Sequence, residues 1–465
     1  MEDLPEPLLL DVLRRIDRTA DRNSVSLACK RMCRSEGEQR DFLRVGCGLH
    51  PAVEALTALC VRFPNLSKLE IDYSGWMSSS GRQLGNQGLQ VLSSHCPSLK
   101  ELSLSFCSFI NDTGLGHLSS CSNLISLKLN FAPAVSCNGI LSIALGCKNL
   151  TTLELIRCMK VNSVEWLQIL GKFGNLRDLS IKNCRGIRED DLVMLGSGWR
   201  KLRRLEFSVD AYYRYPRIHD QSSFSECCKQ FISCDKLKEL SLTNCIISPG
   251  QGLSFVLGRC LSLEKLRLHM CIGITDREVI ELSQNSTDLR SFSLRLPSQF
   301  TAPVLLNSPL SNESLRALAG GCRMLDELEL SFSDGEFPSV SCFGPGAVIG
   351  LIQSCPIRTL KLQGAYFFND IGMEAICSSP YLQVLELCQC QEVSDEGMML
   401  LVHFPCLRVL KLCKCLGITD SGLKPLAGLE KLDSLIVEDC PQISEKGIEG
   451  AARSLSYRQD LTWLY

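Results

Sequence analysis

The chain of 465 residues lacks several things that would have placed it quickly. Nowhere do 18 apolar residues run together, so no transmembrane helix is expected. Lys and Arg number 49 against 51 Asp and Glu, a net charge of −2, so the basic excess of a nucleic-acid binder is missing. The opening Met1-Glu2-Asp3 is acidic, and no charged start leads into an apolar run, so no secretory signal is expected. Catalytic signatures are also scarce. The six histidines (50, 95, 117, 219, 269 and 403) are scattered, with no acid, Ser or Cys constellation around them. Gly171-Lys172 has Trp166 where a phosphate-binding loop needs glycine, and the glycines of 344–350 miss the dinucleotide spacing by one. A soluble, intracellular protein that binds without catalysing is expected, needing no cofactor or metal and contacting neither nucleic acid nor membrane.

What the chain does have is a repeat. A hexad L-x-x-L-x-L recurs, clearest at Leu99-Leu102-Leu104, Leu124-Leu127-Leu129, Leu150-Leu153-Leu155, Leu263-Leu266-Leu268, Leu382-Leu385-Leu387 and Leu407-Leu410-Leu412. Its first apolar residues fall at 66, 99, 124, 150, 176, 202, 237, 263, 289, 325, 357, 382, 407 and 432. Nine of the thirteen gaps are 25 or 26 residues, the period of a leucine-rich repeat. Alternation within each hexad predicts a strand with one buried face. A Ser/Thr-Asp pair then starts a helix, as at Thr275-Asp276, Ser394-Asp395 and Thr419-Asp420. One unit cannot bury its own apolar side, so the units must stack. The expected fold is α/β: a horseshoe solenoid of about 14 repeats over 46–465, with a parallel sheet on its concave face. At about 4.8 Å per strand that face would run roughly 60 Å.

The 27 cysteines follow the repeat. Seven lie two or three residues before a unit's first leucine and eight lie eight residues after it, where a small thiol packs in a turn. Cys388/Cys390 and Cys413/Cys415 have a metal-like C-x-C spacing, but their second members are repeat positions and no His stands at ligand distance. A reduced compartment and no metal are expected.

Residues 1–45 are patterned differently. Leu8, Leu9, Val12, Leu13 and Ile16 form one helical stripe, opened by a possible capping box of Asp3 and Glu6. A second helix is expected from about Asp21, with Val25, Ala28, Cys29 and Met32 on one face. So short a segment cannot hold a full core, so these side chains need a partner, be it another protein or the solenoid end.

The stretches Leu4-Pro5-Glu6-Pro7-Leu8-Leu9, Val12-Leu13 and Asp21 through Arg31 resemble an F-box. With the cysteine-bearing repeats, the whole chain resembles plant F-box/leucine-rich-repeat proteins, and the stretch from Asp21 through Phe63-Pro64-Asn65-Leu66 is similar to the auxin and jasmonate receptor branch. The resemblance implies a target receptor of an SCF ubiquitin ligase, a non-catalytic subunit in cytoplasm or nucleus that delivers proteins to proteasomal degradation. It places the contact with a Skp-type adaptor, and through it cullin–RING, on Leu4, Pro5, Leu8, Leu9, Val12, Leu13, Ile16, Val25, Leu27, Cys29, Lys30 and Met32. Met32 stands where the family usually has Trp, which implies less area buried on docking. A small-molecule-gated receptor and a scaffold outside any ligase remain open. A pocket for inositol phosphate, as the hormone receptors have, would have only Arg203, Arg204, Lys265 and Arg267 to draw on.

Candidate target-binding residues are of two kinds. Val384, Cys388, Val409, Cys413 and Ile436 put apolar side chains in outward columns that are elsewhere mostly polar, as an interface would. Insertions near 72–85, 208–225, 295–312 and 331–346 lengthen four gaps, and the second carries Tyr212, Tyr213 and Tyr215, anchor-type residues. Trp463 and Tyr465 are a possible cover for the apolar columns.

Overall fold

The computed structural model describes residues 4–46, 51–74, 83–210, 234–247, 252–296, 310–332, 343–377, 379–429 and 431–460. Asp3, Tyr212, Tyr213, Tyr215, Trp463, Tyr465 and most of the four insertions lie outside them. The chain divides into two compact units, residues 1–202 with 208–232, and 203–207 with 233–465.

The first unit opens with three helices, α1 (Glu6–Arg14), α2 (Thr19–Ala28) and α3 (Lys30–Gln39). Sequence periodicity had suggested two. The second splits because Cys29 is extended (φ −159°, ψ 164°), and its thiol accepts the Met32 amide at 3.4 Å to start α3. Val25 and Met32 thus sit on different helices. Pro5 is the N-cap residue of α1 and has no side-chain acceptor to cap with, while Pro7 sits in the first turn, where its missing N–H costs nothing.

Six parallel strands follow: β1 (Phe42–Gly46), β2 (Lys68–Asp72), β3 (Glu101–Ser105), β4 (Ser126–Asn130), β5 (Thr152–Ile156) and β6 (Asp178–Lys182). The second unit holds β7 (Arg204–Ser208), β8 (Glu239–Thr243), β9 (Lys265–His269), β10 (Ser291–Arg295), β11 (Glu327–Ser331), β12 (Thr359–Gln363), β13 (Val384–Cys388), β14 (Val409–Cys413), β15 (Ser434–Glu438) and β16 (Ser454–Arg458). The fold is a leucine-rich-repeat solenoid of parallel strands laid down in chain order. Fourteen strands coincide with the hexads. β1 and β16 are additional, because Arg40 and Ala452 stand where a unit's first leucine would be, and periodicity passes over them. β1 also spans the 45/46 boundary drawn from sequence. No described helix is long and apolar enough to cross a membrane.

The strands form because the second and third leucines of each hexad share the buried face. Leu102 and Leu104, or Leu410 and Leu412, are 1% exposed or less, and the residues between them face out. Each such leucine contributes roughly 1.5–3 kcal/mol. The residue seven after the first leucine turns left-handed in nine non-glycine copies, Phe106, Arg157 and Lys414 among them, with φ of 52–58°. This conformation costs about 1–2 kcal/mol. It is offset by a hydrogen bond between units, the residue's N–H donating to the end of the following strand: Phe106 to Asn130 O at 2.8 Å, Lys414 to Glu438 O at 2.9 Å.

In eight of these nine copies the next residue is the repeat cysteine, Ala132 standing in the ninth. In several copies its thiol donates back to the preceding strand, as from Cys184 to Leu155 O at 3.6 Å and Cys415 to Leu387 O at 3.5 Å. All described cysteines are free thiols. Burial pushes Cys107, Cys147 and Cys390 up to about 12, so they act as packing groups.

Candidate functional site

The helical segment makes a small core of its own. Leu9, Leu13 and Met32 are buried together, with Leu4, Ile16, Val25 and Cys29 half-buried around them. α3 is tied to α1 by Gln39, whose amide donates to Leu10 O at 3.0 Å, and by Arg31, which donates to Leu4 O. The segment therefore spends Leu9, Leu13 and Met32 on itself. Pro5, Leu8, Val12, Leu27 and Lys30 are left on the surface. Leu8 is 54% exposed, Val12 48% and Leu27 85%. Leu8 and Val12 lie four residues apart on α1, so they are neighbours on its outer side.

A polar lock that sequence reading missed joins this segment to the first repeat. The Glu36 carboxylate is fully buried, with Arg40 Nε donating to its Oε1 at 2.7 Å and the Arg62 guanidinium 3.6 Å from its Oε2. Arg40 also donates to Asn23 Oδ1 at 2.9 Å and Arg62 to Ser26 Oγ at 2.8 Å. Both guanidinium groups stand 5.0 Å from the centre of the Phe63 ring. Gly37 is needed beside them, since a Cβ there would come within 2.5 Å of Arg62 O. The signal was present as Arg40 at a leucine position, which periodicity reads as a gap.

On the outward sheet face, Val384 pairs with Val409 and Cys388 with Cys413 across β13 and β14. The apolar residues expected to form one contiguous patch do not. Glu386 and Lys411 run between the two pairs, with Lys361–Glu386 at 3.2 Å and Lys411–Glu438 at 2.7 Å, and Ile436 lies beyond Lys411 in that charged column. The alternation of side chains along a strand places the middle column between the outer two. Two members of the candidate basic cluster are paired with a carboxylate. Arg204 lies 3.6 Å and Lys265 3.4 Å from the Glu239 carboxylate.

The histidines do meet an acid and a serine at one place. His269 Nε2 lies 2.7 Å from Ser293 Oγ, which donates to Glu329 Oε2 at 3.0 Å, across β9, β10 and β11. Three separate repeats supply these residues, so linear spacing could not reveal them. Burial first, then Arg295 and Arg267, hold His269 below its ordinary pKa against the pull of Glu329. The serine is the middle member and gives its one proton to the carboxylate, so His269 is its donor. A serine nucleophile requires the opposite arrangement, with histidine in the middle taking the proton. The chain of hydrogen bonds orients polar groups and does not activate the serine.

Comparison with known proteins agrees with this architecture. A leucine-rich-repeat family model matches residues 95–119. F-box/LRR-repeat protein 4 of cattle (Bos taurus) is 30% identical over 120 residues, 25% of this chain and 19% of that protein. The matched stretch thus spans about a fifth of that relative. GRR1-like protein 1 of Arabidopsis thaliana is 21% identical over 445 aligned positions, covering 70% of this chain and 74% of the relative. Among solved structures, the chain in a TLR13–ssRNA13 complex superposes with a TM-score of 0.51 at 19% identity, over 92% of this chain and 57% of that one, a likeness of fold alone. The chain is similar to F-box/leucine-rich-repeat proteins.

Proposed function

We propose that this protein is the target-recognition subunit of an SCF-type (Skp–cullin–F-box) ubiquitin ligase. Helices α1–α3 dock on a Skp-type adaptor, and the repeats hold a target protein for ubiquitination and proteasomal degradation in cytoplasm or nucleus. The observation that supports this most is the exposure of Leu8 and Val12 on a helix whose other side already fills a core. Apolar side chains left out in this way have no role in the segment's own packing. The similarity to F-box/leucine-rich-repeat proteins supports the same reading. The subunit contributes proximity, raising the effective concentration of target at the ubiquitin donor, and makes or breaks no bond itself.

The test is co-purification of the full chain with a Skp-type adaptor and cullin. Leu8→Glu is expected to abolish adaptor retention and leave the melting temperature unchanged, because Leu8 is exposed. Retention by Leu8→Glu, or no adaptor on the well-folded wild type, sinks the proposal.

A further inference from the structure

Cys388 and Cys413 differ from the other cysteines of the repeats. They occupy the last position of β13 and β14, on the outward face, whereas the repeat cysteines Cys390 and Cys415 two residues later are buried. Among the described residues no other strand ends in cysteine, so the pair is no requirement of the repeat. They are register partners on adjacent parallel strands, which sets their Cα atoms about 4.8 Å apart, within the roughly 4.4–6.8 Å that a disulfide spans. Both are half-exposed.

We propose that Cys388 and Cys413 form a dithiol modification site that a hydroperoxide converts to a disulfide across β13 and β14. The two thiols face one another, and their interaction holds Cys413 below the ordinary thiol value and Cys388 above it, so one proton is shared across the pair. One thiolate of the pair takes the terminal peroxide oxygen, forming S–O as O–O breaks, and the leaving hydroxide or alkoxide is protonated. The other thiol then attacks the sulfenic sulfur, S–S forms, S–O breaks and water leaves. Two thiols are oxidised by two electrons, and one hydroperoxide is reduced to water and water or alcohol. Cys415 and Cys440 also face one another, but both are buried and closed to the oxidant. The inference does not depend on the adaptor reading.

The test treats the reduced full chain with hydrogen peroxide, alkylates the remaining thiols and maps the peptides by mass. The expected result is loss of alkylation at Cys388 and Cys413 together, a cross-linked peptide lighter by two hydrogens, and Cys415 and Cys440 still alkylated after unfolding. In Cys388→Ser and in Cys413→Ser the cross-link is lost, and dimedone traps a sulfenic acid at the remaining cysteine of the pair in at least one of them. The proposal is overturned if both cysteines stay reduced at a dose that oxidises the lone, half-exposed Cys377. It is equally overturned if the cross-link forms no faster in the folded chain than in the urea-unfolded one.

Discussion

At the scale of single residues, the helix-start aspartates do more than begin their own helices. Asp276 accepts the Ser311 amide at 2.8 Å and the Ser311 hydroxyl at 2.5 Å, and the Ser314 hydroxyl as well, tying one repeat to the next. Asp370, Asp395 and Asp420 hold Ser394, Thr419 and Ser444 in the same way. The sequence showed the Ser/Thr-Asp pair as a cap within one helix. Its reach of 24 to 38 residues appears only once the repeats stack. Burial works against the Asp276 charge, but the Ser311 and Ser314 hydrogen bonds outweigh it and hold the carboxyl below its usual range. Such a group takes its proton first in the unfolded chain. Its contribution is full above the unfolded value of about 3.9 and is lost as pH falls through the lower folded value. The melting-temperature gap between wild type and Asp276→Asn should hold steady from neutral pH to about 4.5 and narrow below about 4. An equal gap at pH 3 and pH 7 would show that the charge is not what matters.

At the scale of elements, Glu36 is one of the links that attach the helical segment to the repeats. Its carboxylate lies between Arg40 of the segment's end and Arg62 of the first repeat's helix (Ala52–Arg62). Removing one partner of a buried charge cluster costs about 3–5 kcal/mol, because the remaining charges lose their compensation. Glu36→Gln should therefore speed amide exchange across α3 and the helix Ala52–Arg62, leaving β13–β15 as protected as before. Unchanged protection in α3 would mean that apolar packing alone holds the segment. Met32 also gains its meaning at this scale. The resemblance placed it on the adaptor surface, but it packs against Leu9 and Leu13, so replacing the family's Trp alters the segment's own core.

At the scale of the whole molecule, the repeats within each compact unit pair with their sequence neighbours. Stability in such an array is close to a sum of local terms. Leu410→Ala, at a fully buried position in β14, should cost about 2–5 kcal/mol. The damage should appear as faster exchange in β13–β15 and fade toward β1, as hydrogen exchange can map. Uniform loosening from β1 to β16 would contradict that local accounting. The outward face carries alternating charge on this same scale, with Lys128–Glu154 at 3.4 Å and Lys361–Glu386 at 3.2 Å. Exposed pairs of this kind add at most about 1 kcal/mol each. They shape what the face can bind more than how firmly it folds.

The sequence by itself determined the repeat, its strands, the buried side of each strand and the packing role of most cysteines. All of these follow from local periodicity, because a strand's faces alternate residue by residue. It also set apart the helical start and its apolar stripe. Only the tertiary structure decided which residues of that stripe are spent on a core and which, like Leu8 and Val12, stay outside. It alone brought Glu36 to Arg62, His269 to Ser293 and Glu329, and Cys388 to Cys413. Those groups meet across stacked units, and the distance between stacked units is set by packing between strands, a quantity that no spacing along the chain records.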